Sequence, residues 1–370
     1  MRSERRGADH IRTRRTTTMP QLRKDPVTRE WVVIATERSR RPSDFKGGED
    51  LQSRPAFIQN CPFCPGNEAM TPPELLSYRP ADTLPNGAGW WIRVVPNKFP
   101  ALAIEGELDR MGYGMYDMMN GIGAHEVIIE TPEHNQSPAT MSHVQLQEVL
   151  WAYRDRFLDL QQDRRFKYIL VFRNHGKVAG ASLEHPHSQL IALPMVPQDV
   201  MLKIEGAQRY HDYHERCIYT DMIKQEMSYG ERVVCMTDEF IAFCPFAAKS
   251  PFETWVMPRH HSPSFAYEDR SRINAFAVVL QDVLERFRVC LSDTPYNYML
   301  HTAPINQDRD RDFHWHLRIV PRLTIAAGFE MGTGIYINVT SPEDAARHLR
   351  SVHVAPIETD GVHAMADAAR

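Results

Sequence analysis

The sequence predicts an α+β protein built from two copies of one unit, a largely antiparallel sheet with a long packed helix in each copy. Three observations predict it. The order strand, helix, strand, loop, histidine-bearing strand occurs twice. The same interval, 129 residues, separates His185 from His314 and His187 from His316. The helix of each copy has the spacing of a helix with one buried face. Matching order, spacing and chemistry point to internal duplication, and strands feeding a helix within each copy point to α+β units.

In the first copy, residues 126–134 read as a strand ending in Pro132 and His134. Residues 141–163 have helical periodicity, with Leu146, Val149, Leu150, Tyr153 and Phe157 on one face. Residues 168–172 form a short apolar strand. A glycine-containing loop then leads to His185-Pro-His187-Ser-Gln189 and a strand that ends at Pro194. In the second copy, residues 253–261 are the strand ending in Pro258 and two histidines. Residues 268–291 are the helix, with Ile273, Phe276, Val279, Leu280, Val283, Leu284 and Phe287 on its face. Residues 296–300 and 314–321 complete the repeat. Pro194 and Pro197 mark a boundary near residue 198. The resulting division is an arm over 1–20, an N-terminal domain over 21–198, a C-terminal domain over 199–352 and a tail over 353–370. The arm is basic and polar without an apolar stretch, so it reads as disordered rather than as a secretory signal.

With 370 residues, the chain has enough length for a sizeable core. A net charge of −4 argues against nucleic acid as a partner, because phosphate contacts need clustered cations. No apolar run approaches the roughly 18 residues of a membrane span. Six cysteines are too sparse for a disulfide scaffold, and the expectation is a cytoplasmic enzyme.

Cys61-Pro-Phe-Cys64 has the spacing of tetrahedral zinc ligands. His134 and His185 are the best further ligands, each at the edge of a strand in the same repeat. His125, which precedes its strand, is the lesser rival. Four such ligands leave no open position, so the zinc is structural. Strand alternation places His185, His187 and Gln189 on one face. One ring can then hold metal while His187 faces the substrate. A neutral imidazole is a good nucleophile toward phosphorus, and a carbonyl accepting from Nδ1–H would leave Nε2 free to attack. The phosphoryl group needs mainly donors. Gln189, Ser182 and Asn174 offer neutral ones, and Arg38 and Arg41 offer charge. The residues alone therefore point to metal-stabilised phosphoryl or nucleotidyl transfer through histidine.

At these residues the chain resembles the galactose-1-phosphate uridylyltransferase family, within the histidine-triad superfamily. The resemblance runs from about Asp25 to about Arg350 and centres on His185-Pro-His187-Ser-Gln189. It implies a nucleotidyl intermediate on His187, zinc on Cys61, Cys64, His134 and His185, and nucleotide contacts from Arg38 and Arg41. It also implies substrate contacts from Asn97, Asn174 and Ser182. Gly328, Phe329 and Glu330 resemble a sugar-side loop supplied by a partner subunit, which implies a homodimer. The implied reaction is ping-pong transfer between UDP-glucose, as nucleotide sugar, and a hexose 1-phosphate. An alternative comes from Asn174-His-Gly, Ala179-Gly-Ala-Ser182, Tyr296-Asn-Tyr-Met and Gly328-Phe-Glu-Met. These resemble a branch containing plant ADP-glucose phosphorylase, which transfers AMP to phosphate. A third alternative, a non-catalytic nucleotide binder, has no need of an aligned nucleophile.

The resemblance departs at a second metal. The uridylyltransferase pattern uses a Glu and three histidines. His301, His314 and His316 match the histidines, but an ungapped match puts Lys203 at the Glu, with Glu205 close by. The ADP-glucose branch uses a second Cys-x-x-Cys and two histidines. Cys217, His261 and His314 match three of these, Thr220 replaces the second cysteine, and Asp221 could offer oxygen.

Overall fold

The computed structural model describes residues 19–35, 54–306 and 313–355. Its strands are β1 (Gln21–Lys24), β2 (Trp31–Ile34), β3 (Leu76–Tyr78), β4 (Ile92–Pro96), β5 (Met111–Tyr113), β6 (Tyr116–Met118), β7 (Ala124–Ile129) and β8 (Tyr168–His175). They continue with β9 (His187–Leu193), β10 (Val233–Met236), β11 (Phe240–Phe243), β12 (Thr254–Pro258), β13 (Tyr296–His301), β14 (His316–Pro321) and β15 (Tyr336–Asn338). The helices are α1 (His143–Leu160), α2 (Gln198–His214), α3 (Ile218–Tyr229), α4 (Arg270–Cys290), α5 (Gly328–Thr333) and α6 (Pro342–Ser351).

Ten strands form one antiparallel sheet in the order β10-β11-β12-β14-β13-β8-β9-β7-β4-β3. Read outward from the centre, the order is a palindrome of equivalents. β8 matches β13, β9 matches β14, β7 matches β12, β4 matches β11 and β3 matches β10. The duplication seen in the sequence is thus a pseudo-twofold about the β8–β13 pair, which joins the copies through Asn174 opposite Asn297. A fold of class α+β follows, with α1 and α4 against each other on one face.

Both helices begin where their capping residues allow. Ser142 accepts from the Gln145 N–H, and Asp269 from the Arg272 N–H, each filling one orphan donor of the first turn. The expected helix faces are buried in full, and with Phe265, Trp315 and the inward residues of the sheet they make the main core. Each such side chain contributes about 1.5–3 kcal/mol of burial. A second core lies under α2 and α3, where Ala207, Tyr219 and Ile223 meet Val27, Trp255 and Met257. Gly206 is required there, because a Cβ would stand 1.9 Å from the Val27 carbonyl oxygen. β1, β2 and β15 form a small separate sheet, in which β2 pairs with both the first and the last described strands of the chain.

Two expectations on strand limits are corrected. β7 stops at Ile129 rather than running to His134, and β9 starts at His187 rather than His185. Glu130 N–H still donates to the Pro186 carbonyl, but proline has no N–H to return. The ladder ends, and His185 sits in the loop before the strand instead of sharing its face. The expected boundary at residue 198 falls at the start of α2. Apart from residues 19–20 and 353–355, the expected arm and tail lie outside the described residues.

Candidate active site and metal centre

The metal candidates come from three separate places. A tight turn, with Cys64 N–H donating to the Cys61 carbonyl, turns both thiols inward. His134 follows β7 and His185 precedes β9. Their donor atoms all lie within 4.8 Å of one another, and all four residues are buried. Cys61 Sγ is 3.7 Å from His185 Nδ1, and Cys64 Sγ is 3.6 Å from both His134 Nδ1 and His185 Nδ1. A tetrahedral zinc with ordinary bond lengths needs sulfur–nitrogen edges of about 3.5 Å, so the set fits. His185 Nε2–H donates to the Thr131 carbonyl at 2.8 Å, which aims Nδ1 at the thiols. Burial and the neighbouring Cys64 push the Cys61 thiol up to about 11, and burial holds His185 down to about 3. A cation is the charge this dry cluster lacks. The four residues can hold a metal ion, which there would brace the loops around His187.

His187 opens β9. Its Nδ1 stands 2.7 Å from the His185 carbonyl oxygen, which can only accept, so Nδ1 carries the proton. Nε2 is left with its lone pair, and among the described residues no hydrogen bond engages it. Burial holds the ring below the usual histidine range, against the opposing pull of that carbonyl and of Glu130. Phe63, inside the Cys-x-x-Cys turn, packs edge-on against the His187 ring at 5.4 Å. The metal turn therefore touches the nucleophile candidate directly.

His187 lines a cleft with about 730 Å³ of empty space, open solvent included. Asn174 and Ser182 line it too. Asn174 Oδ1 accepts from Asn297 Nδ2 at 2.7 Å, a contact between the copies. Gln189 lies two residues further along β9, where its Oε1 accepts from His125 Nε2–H at 2.8 Å. Ala101 N–H donates to His125 Nδ1 and fixes that tautomer. His125 is thereby engaged away from the metal set, with Asn97 against it at 3.1 Å. Arg38 and Arg41 lie outside the described residues. Gly328, Phe329 and Glu330 form α5, which is not part of the cleft lining.

Sequence reasoning missed several cleft residues. Arg173, paired with buried Glu130 at 3.0 Å, lines the cleft, as do Arg54, His175 and Lys177. A charged residue on the inward parity of an apolar strand was the available signal for Arg173. Beneath it, Tyr153 Oη lies 2.6 Å from both Ser188 Oγ and Tyr298 Oη.

The second copy repeats this geometry with different access. His314 Nε2–H donates to the Pro258 carbonyl at 2.8 Å, as His185 does to Thr131. His316 Nδ1–H donates to the His314 carbonyl at 3.0 Å, as His187 does to His185. The rings of His261 and His314 meet at 81°, as do those of His134 and His185. Cys217, His261 and His314 bring their donor atoms within 4.8 Å. Burial raises the Cys217 thiol, but hydrogen bonds from His261, His314 and Thr220 outweigh it and bring it down to about 5. Asp221 does not join them. It binds Tyr210 and Arg216 instead. His301 and His316 stack at 5.0 Å, and Trp255 stacks on His316 at 4.7 Å. Nε2 of His316 and both ring nitrogens of His301 are buried without hydrogen-bond partners among the described residues. Burial and Arg318 push the Lys203 amine down to about 7 beside them. Whereas His187 is 6 % exposed and opens on the cleft, His316 is 0 % exposed.

A family model described as the N-terminal domain of galactose-1-phosphate uridyl transferase matches residues 9–197, just over half of the chain. The chain belongs to that family. A second model, described only as a domain of unknown function, matches residues 122–358. ADP-glucose phosphorylase of Arabidopsis thaliana is 37% identical over 337 residues, covering 90% of this chain and 93% of the relative. Galactose-1-phosphate uridylyltransferase of Thermotoga maritima is 29% identical over 346 residues, covering 91% and 99%. The crystal structure of an ADP-glucose phosphorylase from Arabidopsis thaliana with bound ADP-glucose has a TM-score of 0.76 at 35% identity, covering 91% of this chain and 100% of that one. As a family member, this chain is an enzyme of nucleotidyl transfer. Among the described residues, no helix is long and apolar enough to cross a membrane.

Proposed function

We propose that this enzyme moves an adenylyl group from ADP-glucose to phosphate through His187. The observation that carries the reading is the His187 ring, with Nδ1–H committed to the His185 carbonyl and Nε2 left free toward the cleft. In the first step the Nε2 lone pair attacks the α-phosphorus. The bond from that phosphorus to the bridging oxygen breaks, and glucose 1-phosphate leaves with the electron pair. In the second step an oxygen of phosphate attacks the same phosphorus, the P–N bond breaks, and ADP leaves. Asn174, Ser182 and Gln189 supply neutral donors near the phosphoryl group. A metal held by Cys61, Cys64, His134 and His185 would supply rigidity. Dividing one displacement into two means that donor and acceptor need never be bound together.

Two observations favour phosphorolysis over transfer to a hexose 1-phosphate. Identity is higher to the Arabidopsis phosphorylase than to the Thermotoga uridylyltransferase. The second copy gathers Cys217, His261 and His314, three of the four positions in the pattern of the ADP-glucose branch. An ungapped match also sets Lys203 at the position where the uridylyltransferase pattern has a Glu. The test is to mix the protein separately with ADP-glucose and UDP-glucose, without acceptor, and to measure intact mass and released sugar phosphate. The reading expects one AMP per chain, discharged as ADP on adding phosphate. A UMP adduct discharged only by galactose 1-phosphate would replace it with uridylyl transfer. No adduct with either donor would overturn the histidine mechanism.

A further inference from the structure

The cleft holds a second histidine whose position is fixed from three sides. His175, the last residue of β8, lines the cleft with His187. Its Nε2 stands 3.3 Å from Asp293 Oδ1, and its ring stacks on Tyr296 with centroids 4.7 Å apart. Asp293 comes from the other copy and is held by an unusual turn. Ser292 and Asp293 are consecutive non-glycine residues in the left-handed region, at φ 54° and 51°. Adjacent strained residues at a cleft mark a position that surrounding structure over-determines. Gly176 has φ 80°, and a Cβ there would come within 2.9 Å of Pro295, so the loop after His175 is clamped to the same segment.

The duplication separates function from architecture here. Gln189 pairs with Phe172, and its counterpart Arg318 pairs with Met299. By that correspondence, Thr302 stands for His175 and Phe166 for Asp293. The His-x-His pair is repeated, but Thr302 and Phe166 leave the His175–Asp293 pair without a counterpart. Lys177, two residues on, also lines the cleft and is exposed, with no ion-pair partner among the described residues.

We propose that His175, positioned by Asp293, contacts the phosphate that leaves or attacks at His187, and takes one proton from solvent as that anion seats beside Lys177. The inference rests on the proposed transfer through His187. The groups facing the ring explain the proton. Burial and the Arg173 guanidinium favour neutral His175, while Asp293 and Glu130 favour the imidazolium. In the free enzyme burial prevails, and the ring sits below the usual histidine range. An added anion moves the balance toward the charged form. Nε2–H then donates to Asp293, and Nδ1–H becomes available to a phosphate oxygen.

Sulfate isolates this effect, because its charge does not change between about pH 6 and 8.5. As a competitor of phosphate in the full enzyme, sulfate should bind progressively more weakly as pH rises, by up to about tenfold per unit. His175→Gln and Asp293→Asn should flatten that slope. His175→Gln should also raise the KM for phosphate roughly tenfold or more, the loss of one charge-assisted hydrogen bond. His187→Asn must keep the slope, since the nucleophile is not its source. A merely structural His175 would change the melting temperature and leave the slope. A flat slope in the wild type, or an unchanged slope in His175→Gln, overturns the inference. The AMP adduct on His187 in the wild type is scored independently, so its absence would fail the parent reading instead.

Discussion

At the residue scale, His187 was readable because its chemistry lies in a contiguous motif. His-Pro-His sets the proposed metal ligand and the proposed nucleophile two residues apart, and the carbonyl that fixes the tautomer belongs to the first of them. His175 was not readable as a functional residue, although it stands in the same motif region. Its partner Asp293 is 118 residues away and reaches it only through the pairing of β8 with β13. Phe63 was hidden for a similar reason, since a phenylalanine between two cysteines reads as packing until His187 is seen against its edge. The decisive residue-scale test is His187→Asn, which keeps a donor near the place of Nδ1–H but has no nucleophilic nitrogen. It should lose at least about 10⁴-fold in turnover, as expected for removal of a nucleophile, with the melting temperature near wild type. Turnover within tenfold of wild type would place the covalent step elsewhere.

At the element scale, the two long helices were legible nearly to the residue. Periodicity fixed their buried faces, and the expected limits, 141–163 and 268–291, lie within three residues of the observed ones. Strand limits were less so, because Pro186 ends a ladder whose partner strand is far away in sequence. The Cys61–Cys64 turn is predicted to depend on its metal. Cys61→Ser should lose one metal equivalent by elemental analysis and lower the melting temperature, because binding free energy at such a site is folding free energy. Freshly purified wild type without metal would sink this. The histidine strand of the second copy carries the opposite expectation. With Trp255 and His301 stacked on His316 and its Nε2 sealed from solvent, β14 presents no accessible nucleophile. His316→Ala should keep the AMP half-reaction while losing stability, by about 2–5 kcal/mol for a large-to-small change in a core. Loss of the adduct in a folded His316→Ala would assign the chemistry to the wrong copy.

At the scale of the whole molecule, duplication explains why so much of the fold followed from order and spacing, and asymmetry shows where the site is. The palindromic sheet gives each copy a histidine strand, but only one copy is open at it. Histidines outside the metal sets are also held neutral by burial. His143, His175 and His301 are all held below their unfolded value of 6.5, chiefly by burial. Below that value the unfolded chain binds protons that the folded chain refuses, so stability should fall as pH drops from 6.5 toward the lowered folded values. A melting temperature that stayed level or rose between pH 7.5 and 5.5 would contradict this.

Assembly is the last expectation at this scale. Within one chain, α5 does not line the His187 cleft, yet it presents Phe329 at 46 % and Met331 at 80 % exposure. Glu330 spends its carboxylate on the Ala327 N–H, which holds the short helix in shape. A shaped apolar tip outside its own cleft suits one that completes the cleft of a second copy, and we propose a homodimer in which α5 does so. An isologous pair then has two sites, each with His187 from one subunit and α5 from the other. The prediction is complementation. His187→Asn should be inactive, and a Phe329→Ala, Glu330→Ala double variant should be severely impaired. In the heterodimer of the two, one site combines the intact His187 of one subunit with the intact α5 of the other, and its second site carries both defects. Co-expressed at equal levels and mixed at random, half the dimers are hetero, so about a quarter of wild-type activity should return. Recovery near zero, with heterodimers demonstrated by dual affinity tags, would mean that α5 serves its own chain or none. A monomeric mass in solution at micromolar concentration would remove the dimer itself.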